Sequence, residues 1–218
     1  MKAPSARAAE SPAEAVMKHV LALSIGAALL AAAPALAAPP APPAPQFVRG
    51  TVTAVTPTSL NLTSREGKKL TIGLTKDWTV QITKPVTAAQ IVPGSFIGTA
   101  EMPQKDGTGR SLEVHVFPPG VKLGEGHYGW DLKKGSMMTN GTVGKVVASK
   151  SGSSFDVSYS TGVRRIVVPP KTPIVQIVPG ARTLIKPGSK VFMAAIQTPG
   201  GLITNSVAVG ENGKAPPM

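Results

Sequence analysis

Apolar and polar residues alternate with a period of two over much of the chain after residue 46. Leu60 and Leu62 alternate with polar neighbours, and Leu70, Ile72 and Leu74 do the same. A period of two places successive side chains on opposite faces of an extended strand, so these segments predict half-buried β-strands. Glycine (23 residues) and proline (22 residues) interrupt the apolar runs. This mixture predicts short strands joined by turns, with little helix.

The strand pattern occurs twice, at an offset of 91 to 95 residues. An offset that stays nearly constant indicates that one unit has been duplicated with small changes in its loops. The matching segments are G-T-V-x-x-V at Gly50 and Gly141, V-Q-I at Val80 and Val175, P-G-S at Pro93 and Pro187, single alanines at Ala100 and Ala194, and V-x-V at Val114 and Val207.

Each copy predicts three meandering strands, a short helical turn and two final strands. The turn of the first copy is expected at Thr87–Ile91. Val52 and Val55 lie at opposite parity on one strand, as Val143 and Val146 do in the second copy, and a β-bulge or strong coiling would let one strand bury both. This order matches an OB-like barrel. We therefore predict an all-β fold of two tandem OB-like small β-barrels with a structured linker, preceded by a signal peptide.

The repeat also sets the predicted domain boundaries. Modules of this size are near the lower limit for independent stability, so we expect them to pack together. The predicted segments are an N-terminal extension at 1–16, a signal peptide at 17–37, a Pro-rich spacer at 38–46, a first module at 47–117, an inter-domain linker at 118–138, a second module at 139–210 and a flexible tail at 211–218.

The signal peptide has three parts. Lys18 gives a basic start after Met17, Val20–Ala33 is an uncharged apolar run, and Ala35-Leu36-Ala37 is a small-residue cleavage site. We expect cleavage after Ala37 and a periplasmic or secreted protein, because no later apolar run approaches the length that spans a membrane. An uncleaved membrane anchor is the alternative, and Met1 and Met17 both remain candidate starts.

Composition restricts the chemistry. The chain has no cysteine, which excludes disulfides and thiolate metal sites. Its formal charge is +12, which favours anionic partners such as acidic glycans or lipid head groups, although the same charge also serves solubility. We do not expect nucleic acid as a partner, since aromatic residues make up only 4% and export argues against it. We expect a monomer.

The segment Pro118–Met138 between the two copies is the chemically richest part of the chain. His127, Tyr128 and Trp130 are the candidate ligand-binding residues, because the two rings offer stacking surfaces for a sugar or peptide. A structural role is favoured over this one, in which the aromatic residues wedge between the barrels as an inter-barrel clasp. The alternative is a copper or zinc site, whose ligands would be Glu125, His127, Asp131 and Met138.

The chain resembles a bacterial exported family of unknown function that is built from tandem OB-like β-barrel repeats. The residues that carry the resemblance are the two G-T-V-x-x-V openings at Gly50 and Gly141, the P-G-S turns at Pro93 and Pro187, and G-E-G-H-Y at Gly124–Tyr128. The resemblance implies the repeated barrel fold from Phe47 to Gly210. It implies no chemistry.

No enzyme motif stands out. The chain lacks a G-x-S-x-G elbow and a P-loop, and His115 lies between two valines where a solvated or inter-domain position is expected. We therefore predict an exported, non-enzymatic binding or scaffolding protein of the cell envelope with an unknown envelope partner. The alternatives are a periplasmic metal-binding protein that uses His127, and recognition of an anionic glycan or lipid through the basic surface.

The predicted cleavage site can be checked directly. We expect mass spectrometry of the exported protein to find Ala38 as its first residue, because Ala35 and Ala37 fit the A-x-A signal that a signal peptidase recognises. Replacing Ala37 with a bulky residue should block this processing. A mature protein that begins at Met17 would contradict the prediction and support an uncleaved anchor.

Overall fold

Twelve strands, joined in one continuous hydrogen-bonded sheet, make up the part of the chain that the structure describes. The structure is a computed structural model and describes residues 43–149 and 152–218. The predicted extension, signal peptide and most of the spacer lie outside these residues. No helix within the described ranges is long and apolar enough to cross a membrane.

The strands are β1 Gln46–Val55, β2 Ser59–Ser64, β3 Lys69–Pro85, β4 Phe96–Pro103, β5 Gly109–Val116, β6 Gly126–Gly129, β7 Met137–Ser149, β8 Gly152–Tyr159, β9 Gly162–Val168, β10 Ile174–Gly180, β11 Lys190–Thr198 and β12 Gly201–Gly210.

Five of these strands close into a barrel, which we call the first ring. Its order is β1-β2-β3-β12-β11, and β11 pairs back onto β1. All pairs in this ring are antiparallel except β12 with β3. Alternate apolar side chains from each strand point inward, as the period of two requires. The first core includes Val52, Leu60, Leu62, Ile72, Trp78, Met193 and Val207.

A second ring has the order β4-β7-β8-β9-β5. It closes through the antiparallel pair of β5 with β4 and through a short parallel contact of β5 with β9 at two residue pairs, Gly109 with Ile166 and Arg110 with Val167. This ring has a separate hydrophobic core. The second core includes Ile91, Ile97, Val114, Val143, Phe155, Val157 and Ile166.

The rings do not follow the predicted division into modules at 47–117 and 139–210. The first ring takes β1–β3 from the first half of the chain but β11 and β12 from the second half, and the second ring makes the reciprocal choice. The physical cause is the length of β3, which has 17 residues. Its first part pairs with β2, and its last part continues alongside β10 toward the second ring. Because β10 also pairs with β5, the end of β3 lies one strand away from the second ring before the chain forms β4.

Two local predictions are confirmed. The register of β1 with β2 shifts between Val52 and Ala54, and the register of β7 with β8 shifts between Val143 and Val146. These bulges leave Val52 and Val143 buried, while Val55 and Val146 are partly buried and pack against the same two cores. The helical turn expected at Thr87–Ile91 is a 3₁₀ turn at Ala88–Gln90.

The tail at 211–218, which was expected to be flexible, packs against the sheet instead. Pro216 and Met218 are buried, and Met218 joins a small apolar cluster with Ile177 and Ala208. Its polar composition favoured a free end, but proline carries no N–H that would be left unpaired on burial.

The exchanged rings predict how a cut chain behaves. If a protease site is inserted between Lys133 and Lys134, two exposed residues, cleavage should leave both fragments in one folded particle, because each ring needs strands from both. Size-exclusion chromatography at micromolar concentration checks this, and near-UV circular dichroism should show that each purified fragment alone lacks fixed packing. The uncleaved insertion variant is the control. Fragments that separate as folded species would contradict the exchange.

Candidate functional site: the linker and its buried acid–base neighbours

The middle of the linker, β6, is an added strand of the second ring. β6 pairs with β7 from Gly126 opposite Asn140 to Gly129 opposite Met137. Beyond β6 the chain turns at 131–135, and the Ser136 hydroxyl donates to the Trp130 and Lys133 carbonyls at 3.0 and 2.7 Å. The backbone of the linker is therefore fixed to the second ring.

Trp130 connects this segment to the first ring. Its indole lies 4.3 Å from the ring of Phe47 on β1 and 6.4 Å from that of Phe192 on β11, measured between centroids. The guanidinium of Arg49 lies over the same indole at 5.9 Å. Aromatic contacts of this kind contribute about 0.5–1.5 kcal/mol each beyond the area that they bury.

A bidentate ion pair supports the aromatic contact. Both Arg49 amino groups donate to the Asp131 carboxylate, at 2.7 and 2.8 Å, while Arg49 Nε donates to the main-chain oxygen of Met218 at 2.5 Å. The Arg49 side chain is only 11% exposed, so solvent screens the pair less than it would at the surface. One arginine thus ties β1, the linker and the tail together.

Tyr128 stays partly open to solvent. The residue is 37% exposed, and its hydroxyl donates to the Gly124 carbonyl at 3.1 Å and accepts from Asn140 Nδ2 at 2.8 Å. Partial burial raises the pKa of the phenol, although the hydrogen bond from Asn140 opposes this. Tyr128 therefore braces its own loop, while Trp130 packs against the first ring.

His127 is a half-buried imidazole. Its Nδ1 lies 2.9 Å from the Thr139 hydroxyl and 3.7 Å from Glu101 Oε1, and its ring stacks near Tyr159 at 6.1 Å. Burial lowers the pKa of His127, and the positive charge of Arg164 lowers it further. The His127 side chain, a candidate ligand in the sequence, is thus surrounded by other side chains of the protein.

Glu101, which sequence reasoning missed, is fully buried behind His127. It accepts from Arg164 Nε at 2.8 Å, and its Oε2 has no hydrogen-bond partner among the described residues. Burial raises the pKa of this carboxyl, while Arg164 opposes the shift. A side chain at Gly109 would collide with this carboxylate, so glycine there makes room for it.

A second buried acid, Glu113, pairs with His115 on the same strand. His115 Nε2 lies 2.5 Å from Glu113 Oε2 and 3.0 Å from the main-chain oxygen of Pro217. Burial alone would lower the pKa of His115, but the Glu113 carboxylate and the Pro217 oxygen outweigh it and raise the pKa above 6.5. His115, for which a solvated or inter-domain position was expected, is therefore buried and lies against the tail. The available signal was a single acid within each of two predicted strands, Glu101 in one and Glu113 in the other.

The predicted metal ligands do not come together. Asp131 is engaged by Arg49, Glu125 is exposed, and Met138 is buried opposite Tyr128 in the strand pairing. Within 43–149 and 152–218, no three His, Asp or Glu side chains lie close enough to hold a metal ion. The proposed copper or zinc set of Glu125, His127, Asp131 and Met138 is therefore not assembled, because the linker extends as a strand where a metal loop would have to fold back.

The clasp role of Trp130 can be measured. Trp130→Ala should lower the free energy of unfolding by about 2 kcal/mol, since it removes a half-buried aromatic anchor. The matched control is Leu123→Ala in the same linker, where the 52% exposed side chain should contribute less than about 0.5 kcal/mol. Urea denaturation of both variants checks this. Equal effects would show that Trp130 does not anchor the rings.

The two histidines should give opposite pH dependence. The pKa of His115 is raised, so its stabilisation is present below its unfolded pKa and is lost as pH rises through the folded value. The pKa of His127 is lowered, so its contribution is lost as pH falls. Relative to the unaltered protein, His115→Gln should therefore lower the free energy of unfolding most at the acidic end of the pH range. His127→Gln should lower it least at that same end. Thermal unfolding between about pH 5 and 8 checks the signs, and parallel curves would contradict both assignments.

Comparisons with known proteins add no assignment to this geometry. No protein-family model, no curated protein and no solved structure matches the chain. Its function must therefore be argued from the residues and contacts described above.

Proposed function

We propose that this chain is an exported, non-enzymatic binding or scaffolding protein of the cell envelope, in which a linker clasps two OB-like barrels into one rigid body. The observation that carries the proposal is the engagement of the linker residues by the fold. Trp130 packs on Phe47, Asp131 pairs with Arg49, and His127 contacts Thr139. Side chains held in this way stabilise the relative position of the rings.

The architecture supports the OB-like part of this proposal. Each ring has five strands with one parallel contact, β3 with β12 in the first and β5 with β9 in the second. Five strands is the number in an OB-fold, which often presents a sheet face and its loops to a ligand. Export to the periplasm or medium rests on the signal peptide at 17–37.

A second candidate function, recognition of an anionic glycan or lipid, is favoured by the distribution of charge. Arg49, Arg164 and Arg165 are paired with acids, whereas every lysine in the described ranges is exposed and none of these lysines forms an ion pair. Long unpaired cations spread over a surface attract polyanions without fixing one orientation.

The anionic reading predicts salt-dependent binding to vesicles. The chain from Ala38 should bind vesicles that contain about 30% anionic phospholipid and release them by about 1 M salt, where the Debye length falls to about 3 Å. Lys68→Gln with Lys69→Gln should weaken binding, whereas Glu66→Gln in the same turn should strengthen it slightly. Co-sedimentation checks this, with zwitterionic vesicles and an acidic-glycan resin as parallel arms. Binding that ignores both salt and charge would reject this function and leave the scaffolding proposal.

A further inference from the structure

The tail at 211–218 lies in a groove whose donors face its main-chain oxygens. His115 Nε2 lies 3.0 Å from the Pro217 oxygen, and Arg49 Nε donates to the Met218 oxygen at 2.5 Å. The Met218 N–H is satisfied within the tail, by the Pro216 carbonyl at 2.9 Å. In these contacts the sheet supplies hydrogen-bond donors and the tail supplies main-chain oxygens. The Met218 N–H needs no acceptor from the sheet.

The floor of the groove is apolar. Met218 is 8% exposed and packs with Ile177 and Ala208, and the rings of Phe117 and Phe192 border the same cluster. An adjoining hollow of about 310 Å³ is lined on one side by the tail and on the other by residues of β1, β2 and β11. The tail thus leaves open space beside it.

The groove combines hydrogen-bond donors with an apolar surface that two aromatic rings border. This combination suits a proline-rich segment. Proline has no N–H to leave unpaired, its carbonyl is a good acceptor, and its backbone is already extended, so little entropy is lost on docking. The tail has this composition, with Ala-Pro-Pro at 215–217. The same tripeptide occurs at 38–40 and again at 41–43, in the spacer just before β1.

We propose that this groove is a binding site for Ala-Pro-Pro segments, that the tail occupies it in cis, and that the spacer of a second copy of this chain is the ligand that replaces the tail. The groove contacts main-chain oxygens, one of them the Pro217 carbonyl, and both segments present such oxygens. It uses no contact to a side chain that only the tail possesses except Met218. The inference goes beyond the scaffolding role and is independent of any anionic ligand.

In the intact chain the tail has an advantage over a free Ala-Pro-Pro segment in occupying the groove. A short tether gives the tail an effective concentration of about millimolar, so a free segment of similar affinity competes poorly. Weakening the tail should therefore reveal the groove. Met218→Lys places a charge in the apolar cluster while it keeps the rest of the tail, whereas Lys214→Ala changes an exposed residue of the same tail and is the matched control.

The first experiment measures binding of the labelled peptide APPAPPAP to residues 42–218, which contain the whole compact unit but neither complete spacer tripeptide. Met218→Lys should bind the peptide at least 10-fold more tightly than the unaltered protein and the Lys214→Ala control. Unlabelled KAPPM peptide should compete. Binding that Met218→Lys leaves unchanged, or a protein that binds KAPPM but not APPAPPAP, would overturn the proposal.

The second experiment tests exchange between copies. The chain from Ala38 with Met218→Lys should self-associate with rising concentration in sedimentation velocity, and replacing the four prolines at 39, 40, 42 and 43 with serine should abolish this. Association that survives these serines overturns the proposal. If Met218→Lys fails to fold, methyl NMR of the unaltered protein still decides: millimolar APPAPPAP should shift the Met218 methyl away from Phe117 and Phe192, and an unmoved signal rejects the exchange.

Discussion

The structure depends on a reciprocal exchange of strands between two rings. The first ring cannot close without β11 and β12, and the second cannot close without β4 and β5. Backbone hydrogen bonds along an open strand edge would otherwise remain unpaired, so closure fixes the position of every strand. The long β3, which pairs with β12 of the first ring on one edge and with β10 on the other, makes the crossing possible.

The buried charges fit this exchanged arrangement. Glu101 on β4 meets Arg164 on β9, and Glu113 on β5 meets His115, so both acids find basic partners within the second ring. At the matching position of the other copy, the first ring carries Ala195, which is also fully buried. An unpaired carboxylate in such a site would lose several kcal/mol of solvation. The two copies have thus diverged at a position where only one ring supplies an arginine.

The linker shows why chemically rich segments are hard to interpret from sequence. His127, Tyr128, Trp130 and Asp131 are close in the chain but serve different partners. Two of them contact the second ring, and Trp130 and Asp131 contact the first. Their clustering in the chain predicted one candidate site. The spacing did not indicate Arg49, Thr139 or Glu101, which come from other strands and determine what each side chain does.

Local alternation was enough to establish the strands, the bulges near Val52 and Val143, and the 3₁₀ turn near Ala88, because each depends on neighbouring residues only. The partner of each strand was decided by the tertiary structure. The final two strands of both copies carry similar apolar patterns, and backbone hydrogen bonds are the same for any strand, so nothing local distinguishes β4 from β11 as the neighbour of β1 or β7. Only ring closure, the length of β3 and the buried ion pairs, all of which require distant residues to meet, select the exchanged arrangement.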